Sequence, residues 1–250
     1  MSHSKSRVLL PLLAVLLVPL LAGASTVSYV DLATQVDRAD LIFVGTVVSS
    51  EAVPTGDGNF AFTYVTFNVD ETVKGTTRGR SITLRMPGGD VGVNAFEVGG
   101  APRFAPGGQH LLFVEGNDRL GVPLVGWFWG KLDVVTDPAS KRPILIDHTR
   151  RAINGIDGKD WKRGGVAIND DGSARRPHVA VVAEEGVKIQ LEKEQPVVAE
   201  PASNALGQLK AMVAGRRASS REFRQPKTFE SAAKHNVPSA FVFEARKAER

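Results

Sequence analysis

The sequence predicts a mainly β fold: a small antiparallel barrel or sandwich, with one short N-terminal helix and a largely irregular C-terminal tail. Two observations predict it, and a third says what must hold it together. Between residues 41 and 148, short runs rich in β-branched and aromatic residues are separated by Gly, Pro and Asn turn clusters. No helix-length segments alternate with those runs, which argues against a parallel βαβ sheet. Cysteine is absent from the 250 residues, so the fold must rest on its own hydrophobic core, which a domain above about 100 residues can supply.

The chain opens with Lys5 and Arg7, an apolar run from Val8 to Leu21, and Ala22-Gly23-Ala24. A basic start, a short apolar centre and small residues before a cut predict a secretory signal peptide over residues 1–24, with the mature chain starting near Ser25. The run is short for a membrane span of roughly 20 residues; a retained N-terminal anchor is the alternative. Leu21-Ala22-Gly23 resembles a lipobox, but Ala24 stands where the acylated cysteine would be. The expectation is export to the bacterial periplasm or beyond, with no membrane span after signal removal.

Tyr29–Asp40 places Val30, Ala33, Val36 and Ala39 near helical spacing, predicting a short amphipathic helix. LIFVGTVVSSEA (41–52) reads as a strand, with Gly45 marking a bulge or tight bend. After the turn PTGDGN, the run 60–73 alternates Phe60, Phe62, Tyr64, Thr66 and Asn68 against Ala61, Thr63, Val65, Phe67 and Val69. Both faces carry bulk, as in a long central strand. SITLRM (81–86) follows, with Ile82, Leu84 and Met86 facing inward, then HLLFVEG (110–116). VPLVGWFWGKLDVV (122–135) reads as two strands or one broken strand, and RPILIDH (142–148) closes the set.

The expected domain is residues 25–150. Residues 151–250 are expected to form a low-order basic extension, with a possible short helix at 204–214 and one extended piece at 187–198. Charge supports the division. Residues 25–150 carry 11 Lys/Arg against 14 Asp/Glu, whereas the last 35 residues carry 9 against 4. Such a basic end is expected to be solvated rather than a specific nucleic-acid site. FVFEA (241–245) is its one apolar spot.

The search for chemistry centres on the stretch from Pro87 to Gly108, which holds seven glycines and three prolines. A P-loop needs Lys and Ser/Thr after its glycines, but Gly108 is followed by Gln109-His110-Leu111. A dinucleotide loop needs a helix after it, and a strand follows here. The expected role is turns: positive φ at Gly88-Gly89 and Gly99-Gly100, and a type II turn at Pro106-Gly107-Gly108. The five histidines form no short-spaced metal pair, thiolate ligands are absent, and the acidic turns at 157–160 and 169–172 lack the EF-hand pattern. No cofactor or metal is expected. There is no G-x-S-x-G elbow; a Ser–His–Asp set assembled by folding stays open. Trp127-Phe128-Trp129 would put both indoles on one face of a strand, free to stack on a partner or packed as core.

ADLIFVGTVVSSEA, FTYVTFNVDETVKG, and MPGG followed by GGAPRFAPGGQHLLFV and LVGWFWGK together resemble an uncharacterised family of exported bacterial proteins. The match covers roughly residues 29–148. The resemblance implies a layout similar to TIMP/netrin-like, OB-type barrels, and a genomic association with matrixin-like metalloproteases. True TIMPs chelate zinc through an N-terminal cysteine, which this chain lacks, so that mechanism does not carry over. The leading expectation is an exported, non-enzymatic β-barrel module binding a protein or envelope polymer through Arg103, Phe104, Trp127 and Trp129. The alternatives are an inhibitor or accessory of a secreted metalloprotease, and a hydrolase with a spatially assembled site.

Overall fold

The computed structural model describes residues 28–117, 121–137, 140–168, 174–175, 199–216, 223 and 246–247. The signal peptide, the extended piece at 187–198 and FVFEA at 241–245 lie outside the described residues. In chain order the elements are α1 (Leu32–Arg38), β1 (Leu41–Pro54), β2 (Ala61–Lys74), β3 (Ser81–Pro87), β4 (Gly89–Val91), β5 (Asn94–Phe96) and β6 (Gln109–Val114). A 3₁₀ turn (Trp127–Gly130) follows, then β7 (Lys131–Thr136), β8 (Pro143–Ile146), β9 (Arg151–Asp157), β10 (Asp160–Ile168), β11 (Ala174–Arg175), α2 (Ala202–Ala214) and β12 (Arg246–Lys247).

The fold is mainly β, as the residue pattern predicts. Nine strands form one sheet in the order β11-β10-β9-β8-β7-β6-β1-β2-β3, and a second sheet runs β12-β5-β4. Every pairing is antiparallel. The apolar runs of β1 and β6 are continuous because both faces of the sheet are covered. Leu41 and Phe43 with Leu112 and Val114 face one core, shared with Phe67, Ile82, Leu84 and Met86. Their sequence neighbours Ile42, Val44, Leu111 and Phe113 face the other, shared with Leu32 and Val36 of α1 and Ala205 and Leu209 of α2. Each fully buried side chain of this size stabilises the fold by roughly 1.5–3 kcal/mol.

β1 and β2 pair over their whole length and slip register at Val44/Gly45, where the sequence predicts a bulge. At the other end of β2, Lys74 is buried and turns back to α1. Its ammonium donates to the carbonyls of Val36 (2.6 Å), Ala39 (2.7 Å) and Asp37 (3.5 Å). A cation therefore closes the carboxyl end of the helix, where unpaired carbonyls and the helix dipole favour it. At the amino end Asp31 is the N-cap, its carboxylate accepting from Thr34 N at 2.8 Å.

The outer edge of β3, the last strand of the large sheet among the described residues, is met by a side chain. Asn117, buried just past β6, accepts from Arg85 N at 3.0 Å and donates to Thr83 O at 2.8 Å. Its amide imitates one residue of a neighbouring strand and links the end of β6 back to β3.

Three expectations are corrected. The buried stripe of the first helix keeps the expected Val36 and Ala39 but is completed by Leu32 and Gln35, because the helix starts only after the Asp31 N-cap and Val30 precedes it, half-buried against the same core. Order does not end at residue 150. β9 and β10 extend the main sheet, and α2 packs on it, with Gln208 Oε1 accepting from Ile156 N at 2.7 Å and Asn154 Oδ1 from Glu200 N at 3.2 Å. The Asp-Gly in the β9–β10 connection is a hairpin signal, masked by the charged composition around it. Finally, Trp127–Gly130 is a 3₁₀ turn and not a strand, entered through left-handed Gly126 (φ 66°) and Trp127 (φ 61°).

Candidate binding cleft

The glycine-rich stretch folds back over the far ends of β1, β2 and β3 and encloses a cleft of about 530 Å³. Its walls are Ala52 of β1, Thr63 and Val65 of β2 and Met86 of β3; its cover runs from Gly88 to Asp90 and from Phe96 to Phe104. The path of the cover is fixed by glycine. Gly88 has φ 88°, and a Cβ there would lie 2.5 Å from Phe96 O, so only glycine lets the chain turn this close to β5. At the far end Gly107 has φ 83° after Pro106, and Gly108 N bonds Ala105 O at 3.0 Å, the expected type II turn.

Arg103 and Phe104 are chain neighbours with opposite surroundings, the first exposed and the second buried. Phe104 is a core anchor, only 8 % exposed. Its ring meets Phe67 edge-on at 5.3 Å and His110 at 5.2 Å, with the Lys131 ammonium 5.6 Å from its centre. It holds the cover down and offers the cleft a wall rather than a projecting contact. Arg103 stays exposed and pairs with Asp90 (3.3 Å) and Glu97 (3.1 Å), both also exposed. The rim thus carries two carboxylates and one guanidinium around an apolar floor.

The two indoles diverge, because the chain between them is a 3₁₀ turn. Trp127 packs against the two apolar clusters that also receive Ala101, beneath the cover. Trp129 goes to another group, edge-on to Tyr29 at 4.8 Å and to His148 at 4.2 Å, with the Arg163 guanidinium 5.9 Å from its ring centre. Arg103 and Phe104 therefore meet at the cleft, Trp127 supports it and Trp129 does not belong to it. Asp90, Glu97 and Met86 join the site without having been singled out in the sequence. Asp90 and Glu97 are the acidic residues of the 87–108 stretch, the one signal that could have marked them.

Behind Phe104, the registry of β6 with β7 sets His110 opposite Asp133. The imidazole Nδ1 lies 2.7 Å from Asp133 Oδ1, and Lys131 pairs with the same carboxylate. Burial pushes the imidazole below its ordinary pKa, so at neutral pH Nδ1–H donates to the carboxylate. Burial alone would raise Asp133, but the His110 bond and the Lys131 charge outweigh it and hold the pKa at about 2. His110 Nε2 is buried and has no hydrogen-bond partner among the described residues. A buried His–Asp pair is one component that a hydrolytic set would need; among the described residues no hydroxyl is bonded to this imidazole.

No family model, curated protein or solved structure matches this chain.

Proposed function

We propose that the chain is an exported, non-enzymatic binding module that receives an apolar segment of a macromolecular partner in the cleft beneath its glycine-rich cover. One observation carries the reading. The segment of unusual composition builds a concavity of about 530 Å³, within the roughly 300–1,000 Å³ range of ligand-binding pockets. Val65, Met86 and Phe104 line it with apolar surface, and Asp90, Glu97 and Arg103 ring it with charge. That division suits an apolar anchor flanked by polar or basic groups. Export is supported by the Lys5–Ala24 leader pattern and by the resemblance to exported proteins in the PGG…GAPRF…LLF segment.

Methionine offers a direct test, because beyond Met1 the chain has only Met86, in the cleft, and Met212, on α2. Methyl-labelled protein titrated with fractions of envelope extract is expected to show Met86 shifting while Met212 stays fixed. Ala52→Trp, which fills the cleft, is expected to abolish the shift. A bound fraction that leaves Met86 unmoved, or that binds Ala52→Trp equally well, overturns the reading.

A further inference from the structure

We propose that the β5 edge and the cleft beside it form a strand-accepting groove whose occupant is the chain's own C-terminal segment, seated through Arg246–Lys247. The inference deepens the cleft reading, since it names the class of ligand: an extended peptide with apolar residues at alternate positions.

The anchoring observation is β12. Arg246 pairs with Ala95 and Lys247 with Asn94, antiparallel, making β5 the middle strand of a three-stranded sheet. A strand edge is a row of free N–H and C=O groups, and an added strand satisfies them whatever its sequence. On this proposal that register continues backwards: each step back from Arg246 is a step forward from Ala95, which would set Ala245 against Phe96, Glu244 against Glu97 and Phe243 against Val98. Phe96, Glu97 and Val98 all line the cleft. Directly opposed residues share a face of a sheet, so on this proposal Phe243 and Ala245 would take the face of Phe96 and Val98, both of which are buried and in the apolar cluster with Phe60 and Phe62. FVFEA is the one apolar spot of the tail, the chemistry that an apolar-floored groove would take up.

Charge points the same way. The last 35 residues carry 9 Lys/Arg against 4 Asp/Glu, while the cover presents Asp90 and Glu97. The segment is tethered, so its local concentration at the groove is on the order of millimolar without any gain in intrinsic affinity. A partner strand must displace it, which makes the tail a built-in competitor and sets a threshold for binding.

The absence of cysteine makes the register testable in the full-length chain. Opposed residues on antiparallel strands lie about 4.5–5.5 Å apart at Cα, inside the span of a disulfide. Oxidation of the Ala95→Cys/Arg246→Cys double variant is expected to yield a monomeric internal crosslink at least about tenfold faster than Ala95→Cys/Ser239→Cys, in keeping with a seated rather than a freely diffusing tail. Equal rates overturn the proposal, and a crosslinked dimer overturns its assignment to the same chain. Phe243→Asp is expected to move the Met86 methyl signal with Met212 unchanged; an unmoved Met86 removes Phe243 from the cleft. The two readings fail separately. A crosslink with no partner ever moving Met86 keeps the tail and ends the binding module, while a partner-moved Met86 without the crosslink does the reverse.

Discussion

Replacing Lys74 by methionine tests how α1 is held to the sheet. The side chain keeps its length and loses its charge, so the carbonyls of Val36 and Ala39, now bonded at 2.6 and 2.7 Å, lose their buried donor. The Asp37 contact at 3.5 Å is marginal and counts for little. Hydrogen bonds from a charged donor contribute roughly 1.5–3 kcal/mol each, so the two short ones are worth about 3–6 kcal/mol together. Against this stands the cost of burying the ammonium, which the substitution removes. That cost is real here, because burial lowers the Lys74 pKa despite the nearby Asp37 and Asp40 carboxylates. Crediting about half of the gain back leaves a net loss of about 2 kcal/mol. At a urea dependence of about 2 kcal/mol/M the midpoint falls by about 1 M, and the melting temperature by roughly 4–8 °C. Urea titration followed by near-ultraviolet circular dichroism measures it. A Lys74→Met protein as stable as the parent would show that burial of the cation cancels its bonds, and the cap would be no source of stability.

Phe104→Ala is expected to cost about 3–5 kcal/mol as a core truncation, whereas Arg103→Ala stays within about 0.5 kcal/mol because its ion pairs are exposed; thermal melts of the pair check the contrast. Asn117→Ala removes two buried hydrogen bonds and is expected to cost about 1–3 kcal/mol, read by urea midpoint. Acidification supplies a further test. Folding favours neutral His110, so the unfolded chain binds more protons below about pH 6.5, and stability falls from there until the folded imidazole itself protonates. Asp133 adds a separate contribution that is complete above its unfolded pKa of 3.8 and is lost as pH drops through about 2. His110→Gln should flatten the slope between pH 7 and 5, with His148, also lowered by burial, supplying what remains. An unchanged slope assigns the effect elsewhere.

Periodicity made the long strands legible. Ile82, Leu84 and Met86 face one core, and the two faces of residues 60–73 carry bulk because β2 lies between β1 and β3 with apolar clusters on either side. What escaped depends on partners distant in sequence. Asp31 caps the helix after Val30, so Leu32 and Gln35 join the expected Val36 and Ala39 in the buried stripe. Two left-handed residues, Gly126 and Trp127, break an apolar run that reads as strand and send its indoles to different clusters. At the cleft, glycine spacing announced turns and the Arg103-Phe104 pair was visible. Which of the two would be anchored inside, and that Asp90 and Glu97 would return to Arg103, follows only from closure of the cover. His110 and Asp133 lie in separate strands, and only the registry of β6 on β7 makes them a pair.

Asn117 has a consequence for how molecules of this protein meet one another. An open edge recruits other chains, and long flat edges are routes to aggregation. At β3 the amide already occupies Arg85 N and Thr83 O, so an arriving strand must evict a side chain held by its own backbone before it gains a bond. Asn117 thus guards one point of the β3 edge, at a position where composition gives no warning. An Asn117 variant that still folds is the one in which concentration-dependent clumping should first appear.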